Sequence, residues 1–252
     1  MADKIYMNNK YPTLKNAPIV EALMDIQVQL PERITLNELH AAVDKVKLRF
    51  PTEQKRYKIS SLMQLKPGEE PLKQMEHDTK VEGFLFFSEN NDKVFQSRLD
   101  GFTFNKHKPY MDWNSLKEEG KELWAIYKNI ADPISIKRIA LRYINKIPLK
   151  TPFDPSNYLT TLPKLSNELN YSIQNLFSQI TIINQRIDAF ANITEAIENT
   201  GSDMSYFIFD IDVYKSGDLK ELDIWEYFDQ LRNFKNEIFF ESLTETTLKL
   251  IA

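Results

Sequence analysis

The chain has 252 residues, of which 42% are hydrophobic and 12% aromatic, so it is long enough to bury one large core or two joined ones. Its formal net charge of -4 argues against a protein that coats nucleic acid through bulk positive charge. The absence of cysteine excludes disulfides and cysteine nucleophiles. Because the sequence has no apolar run of transmembrane length and no signal-peptide pattern, we expect a cytoplasmic protein without a membrane partner.

The first half of the chain predicts a strand, a helix, three strands and a second helix. Residues 19–30 alternate between apolar and polar side chains, which is typical of a strand with one solvated face. Thr35 and Glu38 form a capping-box pattern, which predicts a helix that ends before Pro51. The other predicted elements are strands at 57–65, 83–88 and 93–104, a surface loop at 66–80 and a helix at 112–130.

The stretch 136–147, near the middle of the chain, predicts a half-buried strand. Its apolar face carries Ile139, Leu141, Tyr143 and Ile147, and its polar face carries Arg138, Arg142 and Lys146. Beyond it the pattern predicts a short helix at 155–162, strands at 175–184, 187–197 and 205–214, and a long helix at 223–248.

Both halves therefore show the element order β-α-β-β-β-α. The predicted fold class is α+β, with two tandem modules at residues 1–133 and 134–252 joined as one compact unit. We expect an antiparallel sheet with its helices packed on one face. The other face would carry polar side chains and offer a surface for a partner: Glu21, Gln27, Arg98, Asp100, Arg142, Asp210 and Asp212.

Four blocks in order carry a resemblance over nearly the whole chain: APIVEALMDI, LDGFTFNKHKPYMDW, RIALRYINKI and KNEIFFESLTETTLKL. Together they resemble a sporadically distributed prokaryotic family of uncharacterised proteins of about 250 residues. The resemblance implies no catalytic residues. The patchy distribution of the family is typical of mobile or defence-related gene neighbourhoods.

Several kinds of catalytic or cofactor site lack their sequence signals. The six glycines are too widely spaced for a phosphate-binding loop, and the three histidines are scattered along the chain. No serine-nucleophile motif occurs. We therefore predict no cofactor and no catalytic residues. The best candidate for a metal is Asp210 with Asp212, whose spacing points both carboxylates the same way from a strand, although such a pair equally suits arginine partners.

Two clusters are candidates for binding. Asp100 and Asn105, followed by Tyr110 and Trp113, predict either a strand end whose aromatics pin the next helix or the rim of a ligand site. Arg142, with Asn145 nearby, would either hold a carboxylate or phosphate or pair across the sheet. A basic stripe of Arg98, Arg138 and Arg142 would be needed for nucleic acid.

Three functional classes remain open. The first, which the sequence favours, is a non-enzymatic recognition module that binds a protein, peptide or nucleic-acid partner across its sheet. A homodimer is one form of it, and a defence or toxin-type locus is one setting. The second is a small-ligand sensor with a pocket between the modules, favoured by a cleft bordered by Tyr110, Trp113 or Arg142. The third is a metal-dependent enzyme at Asp210 and Asp212, which needs a third ligand close by.

Overall fold

A computed structural model describes residues 11–12, 14–61, 77–150, 154–161, 175–199 and 204–252. Within these ranges it contains nine strands: β1 (Ile19–Gln29), β2 (Thr52–Ser61), β3 (His77–Phe87), β4 (Lys93–Arg98), β5 (Gly101–His107), β6 (Ser135–Lys150), β7 (Phe177–Asn184), β8 (Ala189–Asn199) and β9 (Met204–Leu219). The helices are α1 (Leu36–His40), α2 (Ala42–Val46), α3 (Trp113–Ala131), α4 (Ile224–Ser242) and α5 (Glu245–Leu250), with 3-10 helices at Pro155–Asn157 and Glu221–Asp223.

All nine strands join one antiparallel sheet in the order β2-β3-β4-β5-β1-β6-β9-β8-β7. The prediction of an α+β fold with an antiparallel sheet is therefore confirmed. The centre of the sheet is the pairing of β1 with β6, in which Met24 lies opposite Leu141. None of the helices in the described ranges is long and apolar enough to cross a membrane.

The helices pack on one face of the sheet and bury its apolar side chains. A row of directly paired residues crosses this face from Phe104 through Met24 and Leu141 to Val213, and all four are fully buried. On α3, a Cβ at Gly120 would meet the Met24 sulfur at 2.8 Å, so glycine allows this helix to approach β1 closely. Burial of this aromatic and aliphatic face is the main source of stability for the sheet.

The chain follows a similar path in each half of the sheet. In the first half, β1 pairs with the last strand, β5, and β4, β3 and β2 lie successively further out. In the second half, β6 pairs with the last strand, β9, and β8 and β7 lie further out. The last strand of each half is followed by a long helix, α3 or α4.

Several predicted elements differ from the structure. The strand predicted at 93–104 is two strands, because a turn at Leu99 and Asp100 reverses the chain into Gly101, whose φ of 153° suits glycine. The helix predicted before Pro51 is divided into α1 and α2. The loop predicted at 66–80 is wrong for residues 77–80, which belong to β3, and its remainder lies outside the described residues.

The long C-terminal helix is also shorter than predicted. α4 ends at Ser242, and Thr244 is the N-cap of α5. The Thr244 hydroxyl donates to the Asn157 carbonyl oxygen at 2.6 Å, and its backbone N–H donates to the Tyr158 carbonyl oxygen at 3.1 Å. These tertiary hydrogen bonds stabilise the break between α4 and α5. A local sequence pattern could not predict them, because the partners are far apart in the sequence.

Candidate ligand-binding cavity

A cavity of about 450 Å³ lies on the helix-covered side of the sheet, where the two halves of the chain meet. Its volume is within the range of small-molecule sites. The first half contributes residues within 11–19 and 108–113, and the second half contributes β6 and α4. The polar and aromatic side chains of its wall include Tyr110, Trp113, Tyr143, Asn145, Arg232 and Lys235.

Hydrogen bonds and aromatic contacts position the parts of the wall that lie outside regular structure. Tyr11 stacks on Phe240 of α4 with ring centroids 4.7 Å apart. The Lys108 backbone N–H donates to the Val20 carbonyl oxygen at 3.0 Å. Both carboxylate oxygens of Asp112 accept from Ser115, from the N–H at 2.9 Å and from the hydroxyl at 2.6 Å, which caps α3.

Two tyrosines form a hydrogen-bonded pair in the cavity. The Tyr110 and Tyr143 hydroxyl oxygens are 2.9 Å apart, and the rings meet edge to face. Burial raises the pKa of Tyr110 to about 12 and that of Tyr143 well above its usual value. Both hydroxyls are therefore protonated at neutral pH. Since one donates to the other, the second hydroxyl hydrogen can be donated to a ligand.

Lys235 is a buried cation in the wall of the cavity. The residue is 9% exposed, and its Nζ lies 4.1 Å from the centroid of the Tyr143 ring. Among the described residues no carboxylate lies within ion-pair distance of this ammonium. Burial, and to a smaller extent the charge of Arg232, lowers the pKa of Lys235 to about 7. A buried lysine without a counter-ion is costly, which is typical of a functional position.

Among the described residues, the charged side chains that line the cavity are mostly positive. Four of them are basic and one is acidic: Lys15, Lys108, Arg232, Lys235 and Asp112. Both oxygens of the acidic one, Asp112, are already bonded to Ser115. The aromatic walls together with this positive potential favour a ligand that is partly apolar and negatively charged.

The structure separates the predicted binding residues into two groups. Tyr110, Trp113 and Asn145 line the cavity, whereas Arg98, Asp100, Asn105 and Arg142 belong to the opposite side of the sheet. Asn145 is also a structural group, since its amide donates to the Phe209 carbonyl oxygen at 3.0 Å. Trp113 donates from Nε1 to Asp229 at 2.8 Å and so joins α3 to α4.

Sequence reasoning missed the two central cations of the cavity, Arg232 and Lys235. The available signal was Lys235 itself, which interrupts the buried stripe of α4 between Leu231 and Ile238. A charged residue at a core-facing helical position is rare unless it is paired or functional. Arg232 gives no comparable signal, because a basic residue beside such a stripe is ordinary on a helix surface.

The open face of the sheet is a network of ion pairs. At its centre Asp25 accepts from Arg98 at 2.8 Å and from the Thr103 hydroxyl at 2.7 Å, and its second oxygen lies 3.6 Å from Arg138. Next to this group, Asn105 accepts from Gln96 at 2.9 Å and donates to Glu21 at 2.6 Å. The predicted binding residues Arg98 and Asn105 thus each have side-chain partners within this face.

The carboxylates considered for a metal are paired with arginine. Arg142 binds Asp210 through two nitrogens, with Nε at 2.8 Å, and Arg138 donates to Asp212 at 3.1 Å. Burial raises the pKa of Asp212, and Arg138 and Arg142 oppose this effect. Within the described ranges no group of three metal-ligating side chains occurs, so the third ligand that the enzyme hypothesis requires is missing there.

This pairing predicts the response to divalent cations. Addition of magnesium or manganese at millimolar concentration is expected to leave the thermal unfolding midpoint unchanged within about 1 °C, because the arginines already neutralise Asp210 and Asp212. Differential scanning fluorimetry measures this directly. Stabilisation that disappears in the Asp210→Asn variant would show that the aspartate pair binds metal after all.

The basic stripe needed for nucleic acid is interrupted. Each arginine of the stripe, Arg98, Arg138 and Arg142, has an aspartate partner on the same face. Neutralised arginines release few counterions from a phosphate backbone, so the electrostatic term that drives such binding is weak here. This face therefore gives little electrostatic support for a nucleic-acid partner.

Comparison with known proteins adds no functional assignment. No protein-family model matches the sequence, and no curated protein matches it significantly.

Proposed function

We propose that the protein binds a small, partly aromatic anion in the cavity between its two halves and acts as a non-enzymatic ligand sensor. The observation that carries this proposal is Lys235, a buried ammonium group on the cavity wall that has no carboxylate partner among the described residues. An anionic ligand would supply the missing counter-charge, and the tyrosine and tryptophan side chains would contact its apolar part.

The position of the cavity supports a sensing role. Tyr110 and Trp113 come from the first half of the chain, and Tyr143, Arg232 and Lys235 come from the second. A ligand that touches both groups stabilises one arrangement of α3 relative to α4 over others. Ligand binding would therefore change the relative position of α3 and α4, and with it the protein surface that these two helices form.

The proposal predicts selective binding of anions. Benzoate and phenyl phosphate are expected to bind. Benzamide, a neutral molecule of nearly the same shape as benzoate, is expected to bind at least about tenfold more weakly because it cannot supply a counter-charge to Lys235. Isothermal titration calorimetry gives these affinities. In Arg232→Gln the affinity for benzoate should fall at least about tenfold, and the control Arg33→Gln, an exposed residue paired with Asp132, should bind normally.

The affinity should also depend on pH in a defined direction. Because the pKa of Lys235 is about 7 in the free protein, a bound anion stabilises the ammonium form and draws in a proton. Affinity for benzoate should be constant below pH 7 and fall by up to about tenfold per pH unit above it. Equal affinity for benzoate and benzamide at pH 6 would contradict the anion site.

Recognition of a protein partner across the open face is a second proposal. The specific support is the mixed character of that face, where Leu23, Ile144 and Ile208 lie half-buried among the ion pairs. Such a mixture of apolar and charged groups resembles ordinary protein interfaces. The cavity is favoured over this face because Asp25, Asp210 and Asp212 already form ion pairs with the arginines of the face.

Internal duplication of a β-α-β-β-β-α module also stays a proposal. The similar strand path in the two halves supports it. Within the described residues the halves differ in two respects. The first has one more strand, because of the turn before Gly101, and the second has only a 3-10 helix, Pro155–Asn157, where the first has α1 and α2.

A further inference from the structure

The strand β7 forms one edge of the sheet and is exposed on both of its faces. It pairs with β8 on one side, and among the described residues no strand pairs with its other side. Gln179 donates to the Thr194 hydroxyl at 3.1 Å and Thr181 donates to Asn192 at 2.8 Å, which fixes β7 against β8. Half of its side chains are nevertheless exposed and apolar: Phe177, Ile180, Ile182 and Ile183.

The register of β7 with β8 determines which backbone groups face outward. The Ile197 N–H donates to the Leu176 carbonyl oxygen at 3.0 Å, and this pair continues the register in which Ala196 lies opposite Phe177. Hydrogen-bonded pairs alternate along an antiparallel ladder, so every second residue after Leu176 bonds to β8. The N–H and C=O groups of the residues between them point away from β8: Phe177, Gln179, Thr181 and Ile183. The outer edge of β7 therefore offers a row of donors and acceptors to another strand.

The two edges of the sheet differ in charge. The opposite edge strand, β2, carries four charged residues, and charges on an edge strand oppose pairing with another chain: Glu53, Lys55, Arg56 and Lys58. β7 has no charged residue and no proline, and half of its residues are β-branched. An open strand of this composition pairs with other strands unless its edge is covered. Because it lacks charge, β7 can pair with itself without placing like charges opposite each other.

We propose that β7 pairs antiparallel with β7 of a second copy of the chain, which joins the two sheets into one across a two-fold axis. The sequence of the strand identifies the occupant, because it is self-complementary in one register. With Ile180 opposite itself, the outward-facing residues pair with one another, and Phe177 lies opposite Ile183 of the second copy. The three most exposed apolar side chains of β7 then all lie in apolar pairs.

Other registers fit less well. A shift by one residue places outward-facing backbone groups opposite inward-facing ones and breaks the ladder. A shift by two residues places Thr181 or Gln179 on the axis and separates Phe177 from Ile183. The proposed register forms about eight backbone hydrogen bonds and two pairs of an aromatic with a β-branched side chain, which is a favourable cross-strand combination. None of the residues that line the cavity lies on β7, so this inference is independent of the proposed ligand.

Sedimentation equilibrium tests the pairing. One strand pair is smaller than a standard interface of about 1,600 Å², so we expect the mass of the wild type to rise from one chain toward two between about 1 and 200 µM. Ile180→Lys places two like charges opposite each other and should keep the mass of one chain throughout, with an unchanged circular dichroism spectrum. The control Tyr57→Lys, at an exposed position on β2, should associate like the wild type. A wild type that stays at the mass of one chain, or association that survives Ile180→Lys, would overturn the proposal.

Disulfide trapping tests the register, because the chain has no cysteine. The two Ile180 Cα atoms would be about 4.5 Å apart on the axis, a separation that a disulfide spans. Oxidation of Ile180→Cys with copper phenanthroline should therefore give a covalent dimer on a non-reducing gel. Thr181→Cys, which is offset from its copy by two residues, should give none. Cross-linking of Thr181→Cys in preference to Ile180→Cys would overturn the register, and no cross-link from either variant would overturn the pairing.

Discussion

Replacing Lys235 with methionine is expected to raise the free energy of unfolding by on the order of 4 kcal/mol below pH 7, although it removes a charged group from the middle of a helix. The reason is that the pKa of Lys235 is lowered to about 7 in the folded protein, whereas the ordinary value for a lysine is 10.5. Below pH 7 the folded protein holds a buried ammonium ion, and methionine fills the same space with an unbranched apolar chain.

The pH dependence distinguishes this origin from better packing. Between pH 7 and 10.5 the unfolded chain binds more protons at this lysine than the folded protein does, so the stability of the wild type rises with pH. The advantage of Lys235→Met should therefore shrink over that interval and be smallest above pH 10.5. Urea unfolding at several pH values measures it, with Lys249→Met, an exposed lysine, as the matched control. A stability difference that does not change with pH would contradict the assignment.

The second large effect is expected at the ion-pair network of the open face. Asp25→Ala should lower the free energy of unfolding by about 3–5 kcal/mol, because it leaves Arg98 charged and buried without its closest carboxylate. Asp25 is 7% exposed and also accepts from the Thr103 hydroxyl, which would lose its partner too. The shift in the urea midpoint at constant m-value reports this loss.

Asp100 provides a control on the same arginine. It lies 3.0 Å from Arg98 Nε, but its side chain is 61% exposed, so Asp100→Ala should cost less than about 1 kcal/mol. A double variant, Asp25→Leu with Arg98→Met, should recover much of the loss because no buried charge is then left unpaired. Equal costs for Asp25→Ala and Asp100→Ala would show that burial of the pair is unimportant.

Local patterns were sufficient to predict an antiparallel sheet with one buried face, although not every strand in it. The alternation in β1, β6 and β9 assigned Met24, Leu141 and Val213 to one side, and this is the side that the helices cover. Such patterns succeed because one face of each strand is buried and the other is solvated. They do not contain strand order, so the pairing of β1 with β6 at the centre could not be predicted.

The site was harder to predict than the fold. Tyr110 and Trp113 stood out as aromatic residues after a strand, but their neighbours in the cavity, Arg232 and Lys235, are more than 100 positions away in the sequence. Arg142 and Asn145 are close in sequence, yet an odd spacing on a strand points them to opposite faces. Only Lys235 gave a signal in the sequence, because it is a charged residue within the buried stripe of α4. Its role as a cavity residue could be inferred only from the structure.

The central claim is that an anion in the cavity supplies the counter-charge of Lys235. Its most direct test is an NMR titration of the lysine side-chain ε-carbon signals, with Lys235→Met used to assign the signal, in the absence and presence of saturating benzoate. We predict that Lys235 titrates near pH 7 in the free protein and that benzoate moves its pKa upward by at least about one unit, whereas benzamide does not. Titration at the value of an ordinary exposed lysine in the free protein, or a pKa that is unchanged when benzoate binds, would contradict the account.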